Sequence, residues 1–289
     1  MDGLSSIHAD VFSVMLFAWV STPVLACLAA FLLFRYLSNR VYGAESPREK
    51  MSFFGPLLFA FVTTSIAVGI LYTGSNSIVF TMPAHLALGA SFIIGAIAFV
   101  CVRPIFRRKL DLDAEKDLKG EFVDLDRSFL FLQIPTACFL AFSHGSNDIA
   151  NAVGPVTVVF HLLTGEGQAE FQMTESILFV GAVGVVIGLA TFGSRVVATV
   201  GGQITQLTAA SGFVAIFSSA ILVLACTKLG IPVSTTHIVV GAIVGVGAAR
   251  AVASLDRKVV KEILLSWLFT VPATAILSGL VFKLVSLWI

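Results

Sequence analysis

Apolar residues in this chain run on for twenty positions or more, without the alternation of a half-buried strand. Charged residues are absent from 11–34, 52–72, 84–102, 176–194, 196–227, 229–249 and 263–282. The stretch 128–165 holds one charge, Asp148. A helix needs about 20 apolar residues to cross a bilayer core. The pattern therefore predicts an all-α membrane protein with about eight membrane segments. The stretch 128–165 is too long for one segment. As a helix it would be about 57 Å long, nearly twice the core thickness. A helix interrupted near Gly145 and Pro155 is expected there, since irregular backbone at membrane depth lines cavities rather than lipid.

Composition agrees. Of 289 residues, 57% are hydrophobic and 12% charged, against about 25% charged in a soluble domain. Mean hydropathy is +0.97. A net charge of +1 offers no basic field for nucleic acid. Cys27, Cys101, Cys138 and Cys226 each sit in a different apolar segment, without metal or redox spacing. The N-terminus lacks the basic start of a signal peptide.

The placement of the charges sets a topology. Fifteen of the 18 lysines and arginines fall in three clusters, Arg35 to Lys50, Arg103 to Arg127 and Arg250 to Lys261. The loops 73–83 and 166–175 contain none. Basic loops face the cytoplasm, so the N- and C-termini are expected outside a cell membrane. The loop 109–127 mixes acids with its bases, but lacks the sixth-position glycine of a calcium loop. It reads as a solvated cytoplasmic loop.

The first and last helices echo each other. FAWVSTPVLACLAAFLLFRYL begins at Phe17 and LSWLFTVPATAILSGLVFKLV at Leu265. Each carries Trp, then Thr and Pro, and the charge-based topology runs them in opposite directions. Antiparallel copies mark inverted-repeat transporters.

Two polar motifs interrupt the apolar background. In SHGSNDIANAVGP, from Ser143, a carboxylate at membrane depth is costly and marks a functional site. Asn147, Asp148 and Asn151 share one helix face. With backbone carbonyls freed at Gly145 they would suit a small hard cation, and Asp148 could instead carry a proton. In LGIPVSTTHIVVGAIVGVG, from Leu229, Gly230 and Pro232 mark a helix start. Ser234, Thr235 and Thr236 then join the unpaired N–H groups of the first turn, which makes an anion site without a buried lysine. Gly241, Gly245 and Gly247 allow close approach of a neighbouring helix. His144 and His237 flank the motifs and read as structural.

Together these motifs resemble the inorganic phosphate transporter family of sodium- or proton-coupled permeases. The G-x-N-D-x-A-N-x-x-G signature stands as Gly145, Asn147, Asp148, Ala150, Asn151 and Gly154, and the P-V-S-T-T-H element as Pro232 to His237. The resemblance implies an inverted-repeat fold and a re-entrant helical hairpin tipped by the P-V-S-T-T element. It implies that Asp148, Ser234, Thr235 and Thr236 contact phosphate, and that Asn147, Asp148 and Asn151 hold the coupling cation. No cofactor or further metal is implied, only Na⁺ or H⁺ as coupling ion. The family carries both motifs twice and this chain once. Residues 1–38 then resemble the end of a first repeat, 39–127 form membrane helices with the charged loop, and 128–289 form a second-repeat-like transport domain. A homodimer or a partner chain would supply the other copy.

The expected function is secondary transport of phosphate, with a sulfate permease or a half-transporter needing a partner as alternatives. The chain contains no H-E-x-x-H, G-x-S-x-G or phosphate-loop motif, and no second membrane-embedded acid to pair with Asp148. An enzyme is not expected.

Overall fold

A computed structural model describes residues 9–73, 82–110, 118–164, 170–251 and 255–287. Among them there are eight α-helices and no strand. They are α1 (Ala9–Leu37), α2 (Pro47–Val68), α3 (Ala84–Leu110), α4 (Leu118–Thr164), α5 (Glu170–Gly202), α6 (Ala209–Lys228), α7 (Thr235–Arg250) and α8 (Arg257–Val285). Seven are long and apolar enough to cross a membrane, and α7 is shorter. Short π-helical turns extend α1 to Tyr42 and α2 to Thr73.

Helix ends follow local chemistry. Thr208 and Ser211 form a reciprocal capping box at the start of α6. Gly230 ends α6 with φ 68°, a conformation that excludes most side chains. The Ile231 N–H bonds the Cys226 carbonyl at 2.9 Å and Pro232 stops the helix. Ser234 caps α7 and Asp256 caps α8. Inside the helices, hydroxyls of Thr22, Ser91, Thr136, Ser143 and Ser219 bond the carbonyl four residues back. That satisfies them where water is excluded.

The expected interruption at Gly145 is not found. α4 is one helix of 47 residues through both Gly145 and Pro155. A glycine costs a helix about 1 kcal/mol but removes no hydrogen bond. Pro155 removes only the N–H that would reach the Asn151 carbonyl. The charged loop is also shorter than expected, because α4 already begins at Leu118. Residues 111–117, most of the loop 73–83 and the first part of the loop 166–175 lie outside the described residues.

α6 lies at the centre. Phe213 and Phe217 stack at 5.7 Å, with Phe129 and Phe139 of α4 against them. α2 joins through Phe61 against Phe217, and α7 packs beside α6. α1 lies along α7. A methyl group on Gly241 or Gly245 would collide with the backbone of Pro23 or Cys27, so only glycine permits that approach. Gly247 instead faces the Leu255 side chain. The facing stripe on α1 is Ala18, Thr22, Ala26 and Ala30, all buried.

These contacts fix the helix directions. Pro23 and Cys27 meet Gly241 and Gly245 in order, so α7 runs parallel to α1. Gln133 meets Ala209 and Asn147 meets Thr227, so α6 runs parallel to α4. Phe59 meets Phe131 and Gly69 meets Phe142, so α2 does too. Arg48, which is buried, pairs with Glu121 at 3.2 Å and reaches the Leu110 carbonyl. That joins the start of α2, the end of α3 and the start of α4. The Asp256 N–H bonds the Ile204 carbonyl, so the two ends of the α6–α7 hairpin share one end of the bundle. The Arg35, Arg107 and Arg250 ends of α1, α3 and α7 therefore gather on one side.

Candidate functional site

The link 229–234 between α6 and α7 forms the tip of a hairpin that rests on the middle of α4. Asn147 Nδ2 donates to the Val233 carbonyl at 3.0 Å, and Asn151 Nδ2 to the same oxygen at 3.4 Å. Their four-residue spacing puts both amides on the face of α4 that meets the tip. Asn147 is 2% exposed and its Oδ1 accepts from the Thr227 hydroxyl at 3.5 Å. One α4 face thus holds a loop carbonyl that no helix could satisfy.

Asp148 lies at the edge of this contact. Its carboxylate accepts from Asn147 Nδ2 at 3.0 Å and from the Thr235 hydroxyl at 3.4 Å. His144, one turn earlier, brings Nε2 to 3.0 Å. The carboxylate is about one-third exposed. It is a negative group with three neutral or cationic donors and an open side, which suits a cation with oxygen ligands or a proton.

At the start of α7, Ser234 Oγ accepts from the His237 N–H and the Ser234 carbonyl from the Ile238 N–H. The Thr235 and Thr236 N–H groups have no acceptor among the described residues. They sit at the positive end of the helix dipole. Thr235 is buried against Asp148, whereas Thr236 is exposed and makes no side-chain bond among the described residues. The structure therefore brings Asn147, Asp148, Asn151, Ser234 and Thr235 together. Thr236 is exposed and stands outside these contacts among the described residues, and Pro232 lies in the link itself.

Two neighbours were not among the expected site residues. His144 is four residues before Asp148, a spacing that places it on the same helix face. His237 stacks on Trp267 of α8, with ring centroids 3.7 Å apart. It also interacts with the Trp19 backbone, whose carbonyl lacks a helical partner because residue 23 is proline. The two tryptophans of the echoing helices thus converge on one histidine. Between them lies an open cavity of about 580 Å³, whose walls include Asn151, Pro155 and Ser234. No group of three or more metal-ligating side chains occurs among the described residues.

A family model described as the phosphate transporter family matches residues 1–278. A protein of Pyrococcus horikoshii, described as "Putative phosphate permease", is 36% identical over 290 residues, covering 99% of this chain and 68% of its own length. A protein of the same description from Pyrococcus furiosus is 33% identical over 289 residues, covering 97% of this chain and 66% of its own. The solved structure described as "The sodium-dependent phosphate transporter" matches with a TM-score of 0.87 at 30% identity, over 100% of this chain and 70% of the other. The chain thus spans about two thirds of the length of these curated relatives. Its helices, its signature residues and its match along nearly the whole sequence agree, and the chain belongs to the phosphate transporter family, a family of membrane transporters and not of enzymes.

Proposed function

We propose that this chain takes part in secondary active transport of inorganic phosphate, coupled to Na⁺ or H⁺. The observation that carries the reading is the seat of the hairpin tip on α4. It sets the unpaired N–H groups of the α7 start beside a single carboxylate, Asp148. The anion sits on the α7 start with Ser234, Thr235 and Thr236, where backbone dipoles replace a buried lysine. The cation sits beside Asp148 with Asn147 and Asn151. A carboxylate that close to an oxyanion needs a cation or a shared proton between them, which ties the two fluxes. Alternating access follows from one bundle rocking against another.

By the positive-inside rule the gathered basic ends face the cytoplasm of a cell membrane, with both termini outside. A second reading is a half-transporter completed by another copy or a partner chain. It is favoured by α8, which buries none of its residues.

The test is radiolabelled phosphate uptake into proteoliposomes that hold only this chain, under separate Na⁺ and pH gradients, with excess sulfate as competitor. Gradient-driven uptake that disappears in Asp148→Asn is expected. Uptake unchanged by Asp148→Asn removes that residue from the mechanism. Stronger competition by sulfate than by unlabelled phosphate reassigns the substrate. Uptake only after coexpression with a second family member selects the half-transporter.

A further inference from the structure

The end of the bundle where the basic helix ends gather also collects aromatic rings. α3 runs antiparallel to α2, since Gly55 meets Phe106 and Gly95 meets Thr64. Phe53 of α2 and Phe99 of α3 touch edge to face, with ring centroids 6.4 Å apart. Lys50 lies three residues before Phe53, and Arg103 four residues after Phe99. At 1.5 Å per residue both cations stand about 5 Å beyond the ring pair, toward the same end. On the other side of the rings the surface is apolar. Phe53, Leu57 and Phe61 form one exposed stripe on α2, and Phe92 is exposed two turns before Phe99 on α3. Aromatic rings beneath a row of cations mark the level of lipid headgroups.

Two hollows flank the ring pair. One, of about 540 Å³, lies between the end of α1 and the start of α2, and its walls include Tyr36, Arg40, Lys50 and Phe53. The other, of about 260 Å³, lies on α3, with Phe99, Arg103 and Arg107 in its wall. Phe53 borders the first and Phe99 the second, so the two hollows are neighbours. Each carries two cations. Among the described residues none of these four cations reaches a carboxylate. Arg40 lies over the Tyr36 ring, 5.9 Å from its centroid. Glu49 also lines the first hollow, where its carboxylate accepts the Ser46 hydroxyl at 2.8 Å. Four cations against one carboxylate leave the pair of hollows strongly positive. Arg48 at the same end shows the contrast, because it is buried and paired with Glu121.

We propose that the two hollows form one site for a phospholipid whose headgroup carries two phosphate groups. Arg40 and Lys50 take one phosphate, and Arg103 and Arg107 the other. A guanidinium offers paired N–H donors that match a phosphate, and a lysine adds a point charge. The Phe53–Phe99 pair lies under the link between the phosphates. Acyl chains then run down the exposed stripes of α2 and α3. A soluble anion would use the cations alone, whereas a lipid uses the cations and the apolar surface that continues from them. A lipid with a single phosphate fills only one hollow. The site draws on α1, α2 and α3, and α1 meets α2 here through Tyr36 against Phe54. Bound lipid would therefore tie α1 to the α2–α3 pair. The inference does not depend on which solute the chain carries.

The experiment is native mass spectrometry of the full chain, released from detergent micelles that contain diphosphatidylglycerol, phosphatidylglycerol or phosphatidylcholine. Diphosphatidylglycerol is expected to bind about tenfold more tightly than phosphatidylglycerol, and phosphatidylcholine to leave no adduct. Arg40→Gln with Lys50→Gln, and Arg103→Gln with Arg107→Gln, are each expected to weaken that binding. The loss should be about fivefold for each cation removed. Arg257→Gln with Lys258→Gln removes the same charge from the same end of the bundle, outside the hollows, and is expected to change nothing. Equal binding of the two anionic lipids overturns the two-phosphate site. An equal loss in the Arg257 and Lys258 variant overturns it too, since the attraction is then one of overall charge. Displacement of the lipid by millimolar inorganic pyrophosphate assigns the hollows to a soluble anion and overturns the lipid. The comparison of lipids on the unaltered chain decides even if a variant fails to fold.

Discussion

α1 and α8 carry the same Trp, Thr and Pro sequence, yet one is packed and the other bare. α1 presses Ala18, Thr22, Ala26 and Ala30 onto the glycines of α7. α8 buries nothing, and around Gly279 a methyl group would meet only open space. Hydropathy does not separate them, since both are long and apolar. The partner does. A stripe of small residues becomes a packing surface when glycines on the facing helix let two backbones approach. At the matching positions of α8, Thr270 and Thr274 have no such partner helix among the described residues and line an open cavity instead.

The largest test of that contrast is a matched pair of substitutions. Gly245→Leu drives a side chain into the Cys27 backbone, which cannot move without α1. Loss of a folded, monodisperse protein in detergent is expected. Gly279→Leu on α8 is expected to leave the thermal midpoint unchanged. Equal effects at the two positions would show that α8 is packed in solution after all. A smaller effect follows from Ala26→Leu, which overfills a fully buried position. About 1–3 kcal/mol is expected, read as a lowered thermal midpoint. The smallest comes from the cap of α8. Asp256 accepts from the Lys258 and Val259 N–H groups at 2.9 and 3.2 Å. Asp256→Ala is expected to cost about 1 kcal/mol. Because α8 has little tertiary support, hydrogen exchange should quicken in its first turn while α7 stays protected. Protection lost across α7 as well would mean that the two helices open together.

Much of this was legible in the chain. The charge-free runs marked the helices, and the glycines after Ser234 marked the close approach on α1. Lysine and arginine placement matched the shared end of the bundle. The spacing of Asn147, Asp148 and Asn151 put them on the face that meets the hairpin tip. The continuity of α4 was not legible, because a glycine lowers helix propensity without removing a hydrogen bond. His144 was readable from its four-residue spacing to Asp148, but a lone histidine carries little weight without its partner in view. The meeting of Trp19, His237 and Trp267 was beyond any local rule. Those residues come from three helices, and only tertiary packing brings them together.

The unbroken α4 has a mechanical consequence. Glu121 is clamped by Arg48 near one end, and Asn147 and Asn151 hold the hairpin tip some 40 Å along, at 1.5 Å per residue. On a rod about 5–6 Å in radius, a turn of about 10° about its own axis carries a side-chain tip about 1 Å sideways. The Asn151 amide already stands at 3.4 Å from the Val233 oxygen, so a shift of that size away from it releases the bond. A helix broken at Gly145 would absorb such a twist in its joint. A continuous one transmits torque, and the clamp at the basic end of the bundle and the grip on the hairpin tip become two ends of a single shaft.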